Sequence, residues 1–372
     1  MAFQETRLQR LRTSMHEHNL DSLYIRDTNN IRWLTGFESV FDEESAHALF
    51  VSDSQCLLHS DSRYSAALRK AALGSPVHIN DEARGHFSLI LDKLASLPNV
   101  STRNRMGIET SLTLTEFRSM ERALAQHEGG VELVETDRLC QALREVKDED
   151  EVATMRKAQA ITDAAFDYII NFIRPGMTER EVQRELDCYM FDHGSVGLAF
   201  PTIVATGDHA ASPHAQPGEC KIARGDAIVM DFGARVNDYC SDMTRTVFVG
   251  KPSEEVCRAF EALQCANKTC KDLLLPGVIA RDVHNEALRI LADYGFENMM
   301  GHSLGHSVGL EIHEEPNLSP RNALPLQAGN VVTVEPGIYK EGSFGMRLED
   351  FGVVSNEGFK VFTQSTHDMV II

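Results

Sequence analysis

Apolar positions in the first 140 residues follow two periodicities. Phe3, Leu8, Leu11 and Met15 recur at helical spacing, and short apolar runs follow at 23–25, 47–51 and 56–59. A helical stretch followed by strand-length runs predicts a small α/β domain. The charged stretch LREVKDEDE, residues 143–151, interrupts the pattern, and a long helical periodicity then begins near Asp150 and runs toward Phe172. The expected division is therefore into domains 1–145 and 146–372, as befits a chain longer than a single hydrophobic core usually grows.

The second part carries a diffuse duplication at an offset of about a hundred residues. PGMTEREVQREL from Pro175 parallels PGVIARDVHNEA from Pro276, and GDAIVMD from Gly225 parallels GNVVTVE from Gly329. In the first pair, Pro-Gly ends one helix and another starts, with Thr178 and Glu181 forming a capping box in the first copy. In the second pair, an apolar strand delivers an acid, Asp231 or Glu335. Two similar halves facing each other are expected.

Those acids have partners downstream. A hairpin turn centred between Val236 and Asn237 would set Asp231 directly opposite Asp242, with Cβ atoms roughly 4.5–5.5 Å apart. A turn centred on Gly342, in KEGSFG, would do the same for Glu335 and Glu349. Facing like charges destabilise a sheet unless a cation lies between them or one stays protonated. Four converging carboxylates therefore point to two divalent ions.

Between the hairpins lies GHSLGHSVGLEIHEEP, in which His302, His306 and His313 alternate with Gly301, Gly305 and Gly309. Three histidines so spaced, with glycines that permit close backbone approach, point to ligands or catalytic groups. The spacing leaves open which of them binds metal, and no HExxH glutamate supports a mononuclear zinc protease. His214, in ASPHAQP, occupies a loop between apolar segments.

Composition narrows the class. With 42% hydrophobic and 24% charged residues and no apolar run near membrane-helix length, a soluble chain is expected. Its charged, amphipathic start lacks the apolar core of a signal peptide, so a cytoplasmic location is expected. A formal net charge of −19 argues against nucleic-acid or membrane partners. The eight scattered cysteines contain no CxxC pair and are expected to be reduced and mostly buried.

With these residues in hand, the sequence resembles the pita-bread metallopeptidases, specifically the Xaa-Pro branch of aminopeptidase P and prolidase. Residues 302–314, HSLGHSVGLEIHE, fit that branch's histidine pattern except at Ser303. DFGARVNDYCSDMTRT, TVEPGIY and RLED match its other segments, and NNIRWLTGF and MGIE are similar to the creatinase-like domain that precedes the catalytic one. The implied fold is α+β, an N-terminal creatinase-like α/β domain followed by a pseudo-twofold pita-bread catalytic domain.

The resemblance further implies that Asp231 chelates one metal, that His306 and Glu335 hold the other, and that Asp242 and Glu349 bridge both. A hydroxide between the metals is then the nucleophile. Glu335 would shuttle the proton to the leaving nitrogen, His313 would stabilise the tetrahedral intermediate, and His214 and His302 would contact substrate. Arg347 and Tyr239 match an arginine and a tyrosine placed near the metals, where they orient carboxylates or meet the substrate. Ser303 and Ser307 stand where glycines are common, and DFG replaces a more usual D-[AVI]-G; these departures bear on pocket shape.

Carboxylate-dominated ligation favours Mn2+, with Co2+ or Zn2+ as other options. A proline-containing peptide substrate and a homodimer are the implied partners. The implied activity is hydrolysis of the Xaa-Pro bond at the N-terminus of di- or oligopeptides. The alternatives are a creatinase-like amidohydrolase working without metals, and a peptide-binding relative that has lost its chemistry.

Overall fold

The computed structural model describes residues 2–42, 44, 46–95, 104–127 and 130–372, without the side chains of Ala2, Phe3 and Ala95, so the reading of Phe3 lies outside the described residues. The chain forms two compact units, 1–144 and 145–372.

The first unit contains helices α1 (Ala2–Glu17), α2 (Thr28–Thr35), α3 (Ser65–Ala71), α4 (His86–Ala95), α5 (Leu114–Leu124) and α6 (Leu139–Arg144). Its strands are β1 (Ser22–Ile25), β2 (His47–Ser52), β3 (Cys56–Ser60), β4 (His78–Asn80), β5 (Asn104–Glu109) and β6 (Val131–Thr136). They make one mixed sheet in the order β4-β3-β2-β1-β5-β6. Leu8, Leu11 and Met15 are buried along α1, as their spacing requires. Glu109 ends β5 and accepts the Arg26 and Asp27 amides at 2.6 and 2.8 Å and the Asn30 amide group at 2.7 Å. It thereby fixes the start of α2, which links the MGIE and NNIRW segments physically.

The second unit contains helices α7 (Glu149–Ile169), α8 (Glu179–Asp192), α9 (Glu254–Leu273) and α10 (Ala280–Asp293) and a 3₁₀ turn at Gly207–Ala211. Its strands are β7 (Gly197–Leu198), β8 (Ile203–Thr206), β9 (Ala227–Phe232), β10 (Ala234–Val236), β11 (Tyr239–Cys240), β12 (Met243–Phe248), β13 (Gly305–Ser307), β14 (Glu314–Leu318), β15 (Val331–Val334), β16 (Gly337–Lys340), β17 (Phe344–Arg347), β18 (Asp350–Ser355), β19 (Gly358–Val361) and β20 (Val370–Ile371). No described helix is long and apolar enough to cross a membrane.

The duplication is a backbone fact. Gly176 and Gly277 take φ values of 94° and 91°, and their amides bond the carbonyls of Ile222 and Leu326, each at 2.8 Å. Gly225 and Gly329, at φ 97° and 92°, bond Val249 and Val354 in the same way. Only glycine adopts such angles cheaply, which is why the PG and G-x-x-x-x-x-acid patterns are the visible part of the repeat. The copies diverge at the helix start: Thr178 and Glu181 form a full capping box, whereas Ile279 caps α10 with no side-chain bond.

Each half has its own core, and side-chain alternation sets the acids' direction. Ile228, Met230 and Phe232 of β9 pack with Phe166 of α7 and Leu186 of α8, while Val332 and Val334 of β15 pack with residues of α9 and α10. Burying each such side chain contributes roughly 1.5–3 kcal/mol. Asp231 and Thr333, one residue out of phase, project from the opposite faces. The two faces turned away from the helices supply the acids.

Candidate metal centre and active site

The register of the two hairpins decides where the acids stand. In the first, Thr244 lies opposite Asp231, and the turn residues are Asn237 and Asp238, with φ of 45° and 66°. The turn is thus displaced from the expected Val236–Asn237. A two-residue turn of this kind needs positive φ at both positions, which Asn and Asp tolerate and β-branched Val236 does not. Asp242, two residues before Thr244, keeps the face of Asp231 as a diagonal rather than direct neighbour. It falls where the ladder is interrupted, and a side chain at Gly233 beside it would strike the Ser241 carbonyl.

The second hairpin has the expected centre. Gly337 to Lys340 pair with Phe344 to Arg347 around Gly342, and Val331 to Val334 pair with Asp350 to Val353 in the same register. Glu335 and Glu349 fall at the gap between these ladders, directly opposed.

The halves bring these carboxylates together. One oxygen each from Asp231, Asp242 and Glu349 lies within 4.8 Å of the others, and all three residues are buried. Nε2 of His306 is 3.4 Å from Glu335 Oε1 and 3.5 Å from Asp242 Oδ2. Its Nδ1 lies 3.1 Å from the Ser307 carbonyl, which accepts the ring proton and leaves the Nε2 lone pair facing the acids. His302 is disposed differently. Its Nδ1 lies 2.7 Å from the Ser303 carbonyl and its Nε2 is 3.0 Å from the Tyr339 hydroxyl, so both ring nitrogens are engaged with the protein. His313 stacks edgewise on His306 with ring centroids 4.5 Å apart.

Arg347 is the buried countercharge. Its guanidinium bonds Asp231 Oδ2, Thr244 Oγ1 at 2.8 Å and the Tyr339 hydroxyl at 2.8 Å, and its Nε lies 3.8 Å from Glu335. Thr244 in turn donates to Glu349 Oε2 at 2.7 Å. The arginine's donors are directed at protein groups, which suits a part in holding the acids. Tyr239 stands elsewhere: its hydroxyl bonds Glu151 of α7 at 2.9 Å, and it does not line the cleft. The tyrosine that touches Arg347 and His302 is Tyr339, two residues beyond Pro-Gly in TVEPGIY. Its position opposite Gly345 on the second hairpin was the available signal.

One cation does not neutralise four acids. Burial, reinforced by the neighbouring carboxylates, pushes Asp242 and Glu349 well above the usual range, and burial raises Glu335. Burial also lowers His302, His306 and His313. Asp231 Oδ1 and Glu349 Oε1 are buried with no hydrogen-bond donor. Unpartnered buried carboxylate oxygens are costly in a protein interior. A donor set of four carboxylates and one imidazole fits hard or borderline divalent ions, which would meet both oxygens.

A cleft of about 830 Å3 opens over these residues. His302, His306 and His313 line it with Asp231, Asp242, Glu335, Arg347 and Glu349, and Pro213 to Pro217 bring His214 to its wall. Behind the histidines, buried Lys147 reaches Ser307 Oγ at 2.8 Å and Glu314 Oε2 at 3.0 Å. Glu314 also accepts the Glu311 amide at 3.1 Å. Lys147 thus grips both ends of the segment bearing His306 and His313. Nothing in its own neighbourhood, LREVKDEDE, distinguishes it from a solvated charge.

Residues 153–356 match metallopeptidase family M24, and residues 7–146 match the creatinase/prolidase N-terminal domain. An uncharacterized peptidase of Bacillus subtilis, YqhT, is 31% identical over 98% of this chain and 100% of its own length. Among solved structures, the Xaa-Pro dipeptidase from Bacillus anthracis superposes with a TM-score of 0.90 at 31% identity, covering 99% of this chain and 100% of that one. The X-Pro aminopeptidase from Thermotoga maritima gives 0.85 at 31% identity, with 97% and 100% covered. The prolidase from Pyrococcus furiosus gives 0.82 at 30%, with 95% and 98% covered.

Proposed function

Because this chain belongs to metallopeptidase family M24, we propose that it is an exopeptidase that cleaves the bond between an N-terminal residue and a following proline, in di- or oligopeptides. The observation that carries the reading is the set of four acids, three of them buried and Glu335 partly so, with His306 in the lining of one cleft, and with two carboxylate oxygens lacking any donor. Asp231, Asp242, His306, Glu335 and Glu349 would hold two divalent ions, and manganese suits a set in which carboxylates outnumber imidazole. Bound there, the ions would supply an activated water and a positive charge for the peptide carbonyl oxygen.

The remaining work falls to the chain's own side chains. Glu335, beside His306, takes the proton of the attacking water and passes it to the leaving proline nitrogen. His313, beside His306 and lining the cleft, donates a hydrogen bond to the carbonyl oxygen as negative charge develops. His214 and His302 contact the peptide from the wall, and Arg347 holds Asp231. A proline amide offers no N–H, so a site that makes no demand on that group accepts it where ordinary exopeptidase pockets discriminate against it. A homodimer and a cytoplasmic location complete the proposal, the dimer on likeness alone.

The test is hydrolysis of a length series from Xaa-Pro through Xaa-Pro-Yaa to longer peptides, with manganese and after chelation. We expect activity that disappears on chelation and returns with Mn2+. Full activity in the chelated protein would refute the reading. The length at which turnover falls separates dipeptidase from aminopeptidase action.

A further inference from the structure

A second set of metal-type donors, none of which lines the cleft, is separate from the four acids. Glu179, the first residue of α8, is fully buried, and its Oε1 is 2.7 Å from Nδ1 of His209, on the 3₁₀ turn. Two backbone amides fix the carboxylate: Thr206 donates to Oε1 at 2.9 Å and Gly218 to Oε2 at 3.0 Å. The Glu179 amide in turn bonds the Cys220 carbonyl at 3.1 Å, bringing an exposed thiol to the same place. One donor atom from each of Glu179, His209 and Cys220 lies within 4.8 Å of the other two.

We propose that Glu179, His209 and Cys220 form a separate binding site for one borderline divalent ion such as Zn2+ or Co2+, with water as the fourth ligand. The donor chemistry argues for this class of ion. A thiolate and an imidazole select zinc or cobalt over manganese, the reverse of the carboxylate-rich centre. Zinc bond lengths place tetrahedral ligands roughly 3.3–3.7 Å apart. Glu179 is held by its two amides, so the small adjustment this requires, outward for the His209 ring, falls to the partly exposed His209 and to the exposed thiol. On binding the thiol gives up its proton to solvent, and the ring proton that bridges His209 Nδ1 to Glu179 moves to Nε2, which frees the Nδ1 lone pair for the ion. The ion takes the place of both protons, so no redox partner is needed.

The position has a structural meaning. Gly218 and Cys220 lie one and three residues beyond Pro217, the end of the segment that carries His214 along the cleft. An ion here would tie the start of α8, the 3₁₀ turn and that segment into one unit.

The experiment is a Co2+ titration of the full chain loaded with Mn2+, followed by near-ultraviolet absorption and metal analysis. We expect a thiolate-to-cobalt charge-transfer band that saturates at one equivalent. The carboxylate-rich centre has no sulfur donor, so cobalt exchanging there leaves this band unchanged. C220S should lose the band while keeping manganese-dependent activity, and H209Q should bind Co2+ at least tenfold more weakly. C188S, which removes another exposed thiol, should keep the band. A band that persists in C220S, or none in the native chain at a large excess of Co2+, overturns the proposal. The readout requires no peptide turnover, so it stands or falls separately from the peptidase reading.

Discussion

Asp231 Oδ1 and Glu349 Oε1 are buried without a donor, and His306 is the histidine whose free lone pair faces the other two acids, Glu335 and Asp242. His306 and His302 therefore separate experimentally. His306→Ala is expected to lose at least one of two bound ions and turnover by several orders of magnitude. His302→Ala should keep both ions and show its defect in KM or kcat. Metal analysis of the two purified variants checks this, and equal ion loss in both would reject the assignment. Sequence spacing alone left the choice open. What distinguishes the rings is which carbonyl each Nδ1 meets and that Tyr339 occupies Nε2 of His302, contacts that depend on the folded hairpin.

At the scale of elements, the acids were legible because strand alternation and glycine turns are local rules. The Gly342 hairpin has its expected register for that reason. The first hairpin is displaced because the left-handed tolerance of Asn237 and Asp238 outweighs a turn drawn at the midpoint of the two acids. Because the displacement preserves side-chain parity, the face survived the error. Half of the cysteines, Cys188, Cys220, Cys257 and Cys265, are exposed or partly so, against the expectation of mostly buried thiols. The grip of Lys147 on β13 and β14 was illegible, since its partners lie far along the chain. Lys147→Met should destabilise the protein by roughly 3–5 kcal/mol by removing one member of the buried Lys147–Glu314 ion pair. In protein that remains folded, kcat should fall about 10- to 100-fold. Thermal melting and steady-state kinetics measure the two effects, and unchanged kcat would remove Lys147 from the support of the histidines.

For the whole molecule, the charged stretch at 143–151 lies where the two compact units meet in sequence, while the later repeat marks two halves of the second unit. The halves share a burden of buried negative charge, and pH exposes it. Asp242, Glu349 and Glu335 are raised, so without ions the folded chain keeps protons that the unfolded chain has released. Their contribution to stability is fully present below the unfolded carboxylate range, about pH 4, and is lost as pH rises through the folded values. Divalent ions replace those protons. The gain in melting temperature on adding Mn2+ to chelated protein should therefore grow from about pH 5 to about pH 8, with protons released on binding. An equal gain at both pH values would contradict the shared-charge account.

Asp231 and Asp242 come from one copy of the repeat, and His306, Glu335 and Glu349 from the other. Neither copy alone carries the whole ligand set. If the backbone were cut in the segment between β12 and α9, the ions would become the clasp of a two-piece protein. The fragments should associate more tightly with Mn2+ than with a chelator, because a ligand that binds only the joined form stabilises it in proportion to its occupancy. Fragment complementation titrated with and without metal would measure how strongly the centre holds together the fold that builds it.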